Sequence, residues 1–259
     1  MNIVLALAGV VIKELYRRKD FYVLFVMTAL LTALMGSVNF FHDDKIVRYL
    51  KDVCLLLIWI SSLVIAIATT ARQIPAEREN RTIFPLLAKP VTRAHVIVGK
   101  FLGCWLACGL ALLVFYLFFG VMSGSREHVW PFANYFQAMW LHWAMLAIVV
   151  AMVLLGSVVF AAPSSNGTIS FIVVLGLLLL GGHLNRVALQ QPEPLRTLVY
   201  TIYFLVPHLE WFDIRDLIIY NHSLIAWSDC ALATLYAAIY TALFLFAAWL
   251  IFRRKALNL

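Results

Sequence analysis

The chain has 259 residues, 64% hydrophobic and 13% charged, with a mean hydropathy of +0.92. That composition excludes an ordinary soluble domain and places the chain among polytopic membrane proteins. The net charge of +7 does not point to nucleic acid, because the Lys and Arg residues flank apolar runs and form no basic face.

Residues 1–19 read as an interfacial helix: Ile3, Val4, Leu7, Val11 and Leu15 lie near one face, and Lys13, Arg17, Arg18 and Lys19 cluster at its end. No small-residue cleavage site marks a removable signal. The first predicted span is 21–40, followed by a short charged outer loop with Asp43, Asp44, Lys45, Arg48, Lys51 and Asp52. The second span is 53–71, and a long polar segment, 72–99, separates it from the third, 100–122. After a short outer loop, 123–135, comes the fourth span, 136–161. Pro163-Ser164-Ser165-Asn166-Gly167 predicts a tight inner turn, with Ser165 or Asn166 as cap of the next helix. The fifth span is 168–184 and the sixth 229–252, ending in Arg253-Arg254-Lys255. Each run has roughly the 17–25 residues a hydrocarbon core requires.

The outer segment 185–228 is more than a loop. Residues 198–206 are apolar but too short to span, and Pro207 breaks them. In 208–220, Leu209, Phe212, Leu217 and Ile218 are expected to face lipid, while Glu210, Asp213, Arg215 and Asp216 face water or pair. Short re-entrant helices before the last span follow from this pattern. Trp130, Trp140, Trp143, Trp211 and Trp227 sit where an outer aromatic belt belongs. The fold class is therefore an all-α membrane protein with six transmembrane helices, an N-terminal interfacial helix and re-entrant outer helices.

Charge sets the expected orientation. Thirteen of the twenty Lys and Arg fall in the segments assigned inside, and nine of the thirteen Asp and Glu in those assigned outside. An even span count with both termini cytoplasmic fits that asymmetry. Cys54, Cys104, Cys108 and Cys230 lie in or beside apolar runs without a CxxC, and read as small hydrophobes.

The segment 72–99 carries Glu77-Arg78-Glu79, Thr82, Leu86-Leu87, Pro90 and Arg93, then Gly99-Lys100. In order and spacing these residues resemble the inner loop of ABC transporter permease subunits of the type-2 exporter class (type V exporter-like). Arg81 stands where that family often has Gly, and Pro85 is a further departure. The resemblance implies a coupling element: a loop helix seated in a cleft of a cytoplasmic P-loop ATPase. Glu77, Arg78, Glu79, Thr82, Leu86, Leu87, Pro90 and Arg93 are the residues it assigns there. An amphipathic helix with apolar anchors amid mixed charge is a usual helix-in-groove ligand; the competing reading is a solvated basic loop that only sets topology.

Gly99, Gly103, Ala107 and Ala111 recur every four residues, a stripe that lets helices approach closely, within the subunit or between two subunits. His142 and His183 fall near span ends and read as interfacial histidines. The spans hold no deep charge, which argues against a proton- or sodium-coupled carrier. HExxH, GxSxG and the P-loop motif GxxxxGK[ST] are absent from the sequence.

Residues 1–259 thus read as a single transmembrane permease domain, not an enzyme, of a bacterial cytoplasmic membrane. The resemblance implies an ATP-driven exporter whose path forms between two permease copies. It implies no cofactor in this chain, with ATP and Mg on the separate ATPase subunit. Membrane lipids surround it, and nucleic acid is no partner. The outer helices, with Pro207, Glu210, Trp211 and Asp213, are assigned either to gating the exit or to meeting an extracytoplasmic partner. The alternative class is a stand-alone secondary carrier or a membrane scaffold of an enzyme complex. The substrate is left open by the sequence.

Overall fold

A computed structural model describes residues 3–17, 22, 26, 29–30, 44–79, 92–127, 130–190, 192–220 and 222–254. Among them there are helices and turns and no strand. The helices are α1 (Ile3–Tyr16), α2 (Asp44–Ala71), α3 (Pro75–Glu79), α4 (Arg93–Glu127), α5 (Phe132–Val159), α6 (Pro163–Gln190), α7 (Leu195–Leu205), α8 (Asp216–Ile219) and α9 (Trp227–Arg254), with a 3-10 turn at Leu209–Phe212. Four stretches are long and apolar enough to cross a membrane: Lys51–Glu79, Arg93–Ser125, Phe132–Val159 and Trp227–Arg254. Most of the predicted first span, 21–40, lies outside the described residues, as do Thr82, Leu86, Leu87 and Pro90 of the loop motif.

The helices overrun the predicted spans. A 28-residue helix is about 42 Å long, against a hydrocarbon core of about 30 Å. The charged stretch 44–52 is therefore not a loop but the first turns of α2. The predicted turn at 163–167 is the opening of α6, with Pro163 in its first turn, where a missing N–H costs nothing. Asn166 is no cap: it is fully buried, and its amide donates to the carbonyls of Ala71 (3.4 Å) and Val153 (3.1 Å). It thus ties the end of α2 to α5 at the start of α6.

Helix α5 is the centre of the bundle and packs against α2, α4, α6 and α9. Its sequence is apolar on all sides without a Lys, Arg, Asp or Glu, the pattern of a helix that neighbours cover completely; every residue from Ala144 to Ala151 is buried. Helix α9 is the opposite case. Cys230, Ala237, Thr241, Ala248 and Phe252, alternately seven and four apart, form its buried stripe, while Leu232, Leu235, Ile239, Leu243 and Phe246 are exposed. That spacing is a coiled-coil-like seam on α5 with a lipid-ready face outside it.

Two close approaches set the position of α4. At Gly99 a Cβ would sit 2.7 Å from Leu7 Cβ, and at Gly103 2.6 Å from Val11 Cβ, so both glycines let α1 lie against α4. Further along, Trp105 and Trp143 stack at 4.4 Å. Each indole N–H donates to the other's main-chain carbonyl, at 3.0 and 3.1 Å. Gly109 leaves the space that the Trp143 ring fills. These bonds pin α4 to α5.

The bundle has two polar faces. The near face carries α1, α3, the starts of α4 and α6 and the ends of α2, α5 and α9. The far face carries α7, the 3-10 turn, α8 and the opposite helix ends. Leu209, Phe212, Leu217 and Ile218, expected to face lipid, are instead buried against the bundle. The short segments fold back over α5, α6 and α2, so their apolar side meets protein. Trp130, Trp211 and Trp227 are exposed as a belt requires, but Trp140 and Trp143 turn inward, and the Trp140 indole donates to Thr234 Oγ1 at 3.0 Å.

Candidate functional site at the two polar faces

On the near face, α3 follows α2 after a three-residue turn. Its Glu77 carboxylate lies 2.7 Å from the Lys100 ammonium, which also donates to Gln73 Oε1 at 3.1 Å. Lys100 and Gln73 are buried and Glu77 is about a quarter exposed. Lys100, the eighth residue of α4, reaches a carboxylate that α3 presents. The sequence contained both residues, but 23 positions apart, with nothing in the spacing to pair them. Of the other loop residues, Arg78 is partly buried and Glu79 exposed.

Arg93, the first residue of α4, turns the other way. Its Nη1 donates to the carbonyl of Phe252 and, at 2.9 Å, to that of Arg253, and the guanidinium sits 5.4 Å from the Phe252 ring centroid. The last carbonyls of a helix have no intrahelical partner, and the macrodipole favours a cation there.

Between the faces lies a polar cluster that sequence reasoning placed at the membrane surface. His142 is 2% exposed, in contact with α2 and α4. Its Nε2 is 2.7 Å from Ser62 Oγ and its Nδ1 3.5 Å from the Tyr116 hydroxyl. Ser62 spends its one proton on the Trp59 carbonyl, at 2.8 Å, so toward His142 it accepts. The tautomer that fits carries its proton on Nε2 and accepts from Tyr116 on Nδ1. One neutral histidine thereby joins α2, α4 and α5 with both ring nitrogens satisfied. Flanking Trp140 and Trp143 made His142 look interfacial; polar groups on two distant helices make it an interior residue.

On the far face, Pro207 and His208 are buried. The His208 N–H donates to the Tyr236 hydroxyl at 2.9 Å, and His208 Nδ1 is 3.1 Å from Glu210 Oε1. The ring of His208 lies between Tyr203 (4.3 Å) and Trp211 (4.7 Å). The Glu210 carboxylate occupies the space left by Gly181, where any Cβ would collide with it. Asp213 takes two parallel bonds of 2.8 Å from Arg215. That pairing raises the Arg215 pKa above its ordinary high value against the opposing effect of burial, so the guanidinium stays charged over the 5.8 Å contact with Trp59.

Of the predicted site residues, the structure brings Glu77 to the start of α4, Arg93 to the end of α9, Gly99 and Gly103 to α1, and the four far-face residues into one folded turn. Among the described residues no group of three or more His, Cys, Asp or Glu is placed to hold a metal. Lys100, Gln73, His142, Ser62 and Tyr236 are the participants that sequence reasoning did not assign. Each acts through a partner on another helix.

Apolar helices of spanning length with polar groups gathered at both ends define a multi-pass membrane protein of the permease kind. Residues 28–257 match the family model described as ABC-2 family transporter protein, and the chain belongs to that family: it is a membrane subunit of an ABC transporter. No curated protein matches the chain.

Proposed function

We propose that this permease is the path-forming half of an ATP-driven exporter, working as a dimer of permease subunits with a separate cytoplasmic P-loop ATPase. On this reading the near face is cytoplasmic and both termini lie on that side. The chain has six spans in a bacterial cytoplasmic membrane, α6 and the 21–40 run completing the count. Residues 1–259 form one domain, with an interfacial helix at 1–19, a coupling loop at 72–99 and a re-entrant segment at 185–228. ATP and Mg bind the ATPase, and this chain catalyses no reaction.

The observation that carries the proposal is the Glu77–Lys100–Gln73 contact. It fastens α3, the described root of the loop, to the start of α4. A loop that only set topology needs no buried ion pair at its root; a loop that receives force does. Glu77, Arg78, Glu79, Thr82, Leu86, Leu87, Pro90 and Arg93 are the coupling residues. Ala107 and Ala111 extend the packing stripe of Gly99 and Gly103. Pro207, Glu210, Trp211 and Asp213 form the outer gate.

The test is recovery of the affinity-tagged chain from gently solubilised native membranes, with mass spectrometry of its companions. A stoichiometric P-loop ATPase, lost in Glu77→Ala/Glu79→Ala, is expected. Recovery of the chain without an ATPase would overturn the coupling assignment in favour of a carrier or scaffold.

A further inference from the structure

Arg93 was assigned with the loop, yet its described partners are not loop residues. Its Nη1 meets the carbonyls of Phe252 and Arg253, and its plane lies over the ring of Phe252, which is fully buried. A planar guanidinium can donate to two neighbouring carbonyls while its flat face stacks on an aromatic ring; an ammonium can donate but has no face to stack. Residue 93 is also where the chain leaves the 72–92 segment, so Arg93 stands at one of the two ends through which that segment joins the bundle.

What Arg93 grips is a helix fastened by side-chain bonds near its middle as well. The Tyr236 hydroxyl accepts from the His208 N–H, and the Tyr240 hydroxyl donates to the carbonyls of Phe204 (3.4 Å) and Leu205 (3.5 Å). Trp211 and Phe212 pack on the Tyr236 ring at 5.4 and 6.3 Å. Between these ties and the Arg93 contact lie about 18 to 25 Å of uninterrupted helix. Only one stripe of that helix is buried, and it packs against α5 and α4.

We propose that Arg93 is a positioning residue that holds the last carbonyls of α9 against the start of α4, so that displacement of the 72–92 segment passes along α9 to the far-face turn at 206–212. The transmitting role rests on the coupling-loop reading above; the mechanical link from Arg93 to the far face does not.

The link is tested without nucleotide or ATPase, on the full chain in lipid nanodiscs, by hydrogen exchange of the peptide covering 206–213. Arg93→Ala is expected to raise its exchange about two- to thirtyfold, the range for substitutions along a coupled path. The segment 163–170, on the near face but bonded to α2 and α5, stays unchanged. Arg93→Lys gives an intermediate value, and it also carries the test where Arg93→Ala fails to accumulate. In a Tyr236→Phe/Tyr240→Phe background the Arg93→Ala effect disappears. Unchanged exchange at 206–213 overturns the proposal, as does an equal rise at 163–170 or an effect that survives in the double-Phe background. Because no ATPase is present, failure here leaves the coupling assignment standing. Failure to recover an ATPase likewise leaves this link intact.

Discussion

Lys100 is a buried ammonium held by one carboxylate and one amide oxygen. Removing the carboxylate alone leaves that charge with Gln73 only. The expected cost is about 3 kcal/mol, the low end for a broken buried pair because Glu77 is 23% exposed and water can reach it. Replacing both partners removes the uncompensated charge. Glu77→Ala is therefore expected to lower the thermal midpoint of the detergent-solubilised chain more than Glu77→Ala/Lys100→Met does. The reverse order would mean that Lys100 is solvated by something other than Glu77. The residue types at this site were legible in the sequence, since Glu77 and Lys100 stand in the loop motif. Their pairing was not, because α3 turns back on α4 only after the chain has folded. The same holds for His142: its identity was plain, but its place depended on Ser62 and Tyr116, 80 and 26 positions away.

At the scale of elements, the small-residue stripe of α4 is the clearest case of a pattern whose partner could not be read. A four-residue spacing of Gly and Ala predicts a close approach but says nothing of what approaches. The structure seats α1 on Gly99 and Gly103 through Leu7 and Val11, whose four-residue spacing matches that of the two glycines. Gly103→Val would drive its side chain into Val11 and is expected to cost about 1–3 kcal/mol by overpacking. Limited proteolysis should then release α1 earlier than in the parent. Gly120→Val, where a Cβ meets nothing within 4 Å, is the matched control and should behave as the parent does. Most helix boundaries were read too short, because the apolar run ends where the membrane ends but the hydrogen-bonded helix does not. The charged turns of α2 and the opening of α6 at Pro163 are both of this kind. The end of α5 is an exception, stopping at Val159 inside the predicted 136–161 span.

For the molecule as a whole, the two polar faces make an accessibility prediction. Ala162 is exposed beside the near-face junction of α5 and α6, and Ser223 is exposed on the far side, between α8 and α9. All four native cysteines are buried, so a single introduced thiol dominates labelling. In sealed vesicles of known orientation, Ala162→Cys and Ser223→Cys should react with an impermeant maleimide from opposite sides, Cys at 162 from the cytoplasm. Labelling of both from one side would overturn the two-faced arrangement and the orientation drawn from charge. The sidedness expected here comes from where Lys, Arg, Asp and Glu fall in the sequence. Burial of the far-face segment could not be read from sequence: its alternation of apolar and charged residues suits lipid and protein equally, and the fold-back over α5, α6 and α2 decides between them.

The crossed indole-to-carbonyl bonds of Trp105 and Trp143 fix one height at which α4 and α5 resist sliding, so that any relative tilt of the two would turn about it. Such a point is a fulcrum. From Trp105, the arm toward Arg93 is about 18 Å and the arm toward Glu127 about 33 Å at the rise of an α-helix. A tilt of α4 about this point therefore carries its far end nearly twice as far as its near end, and in the opposite direction. A displacement too slight to disturb the packing around Lys100 is thus geared up where α4 meets the other face.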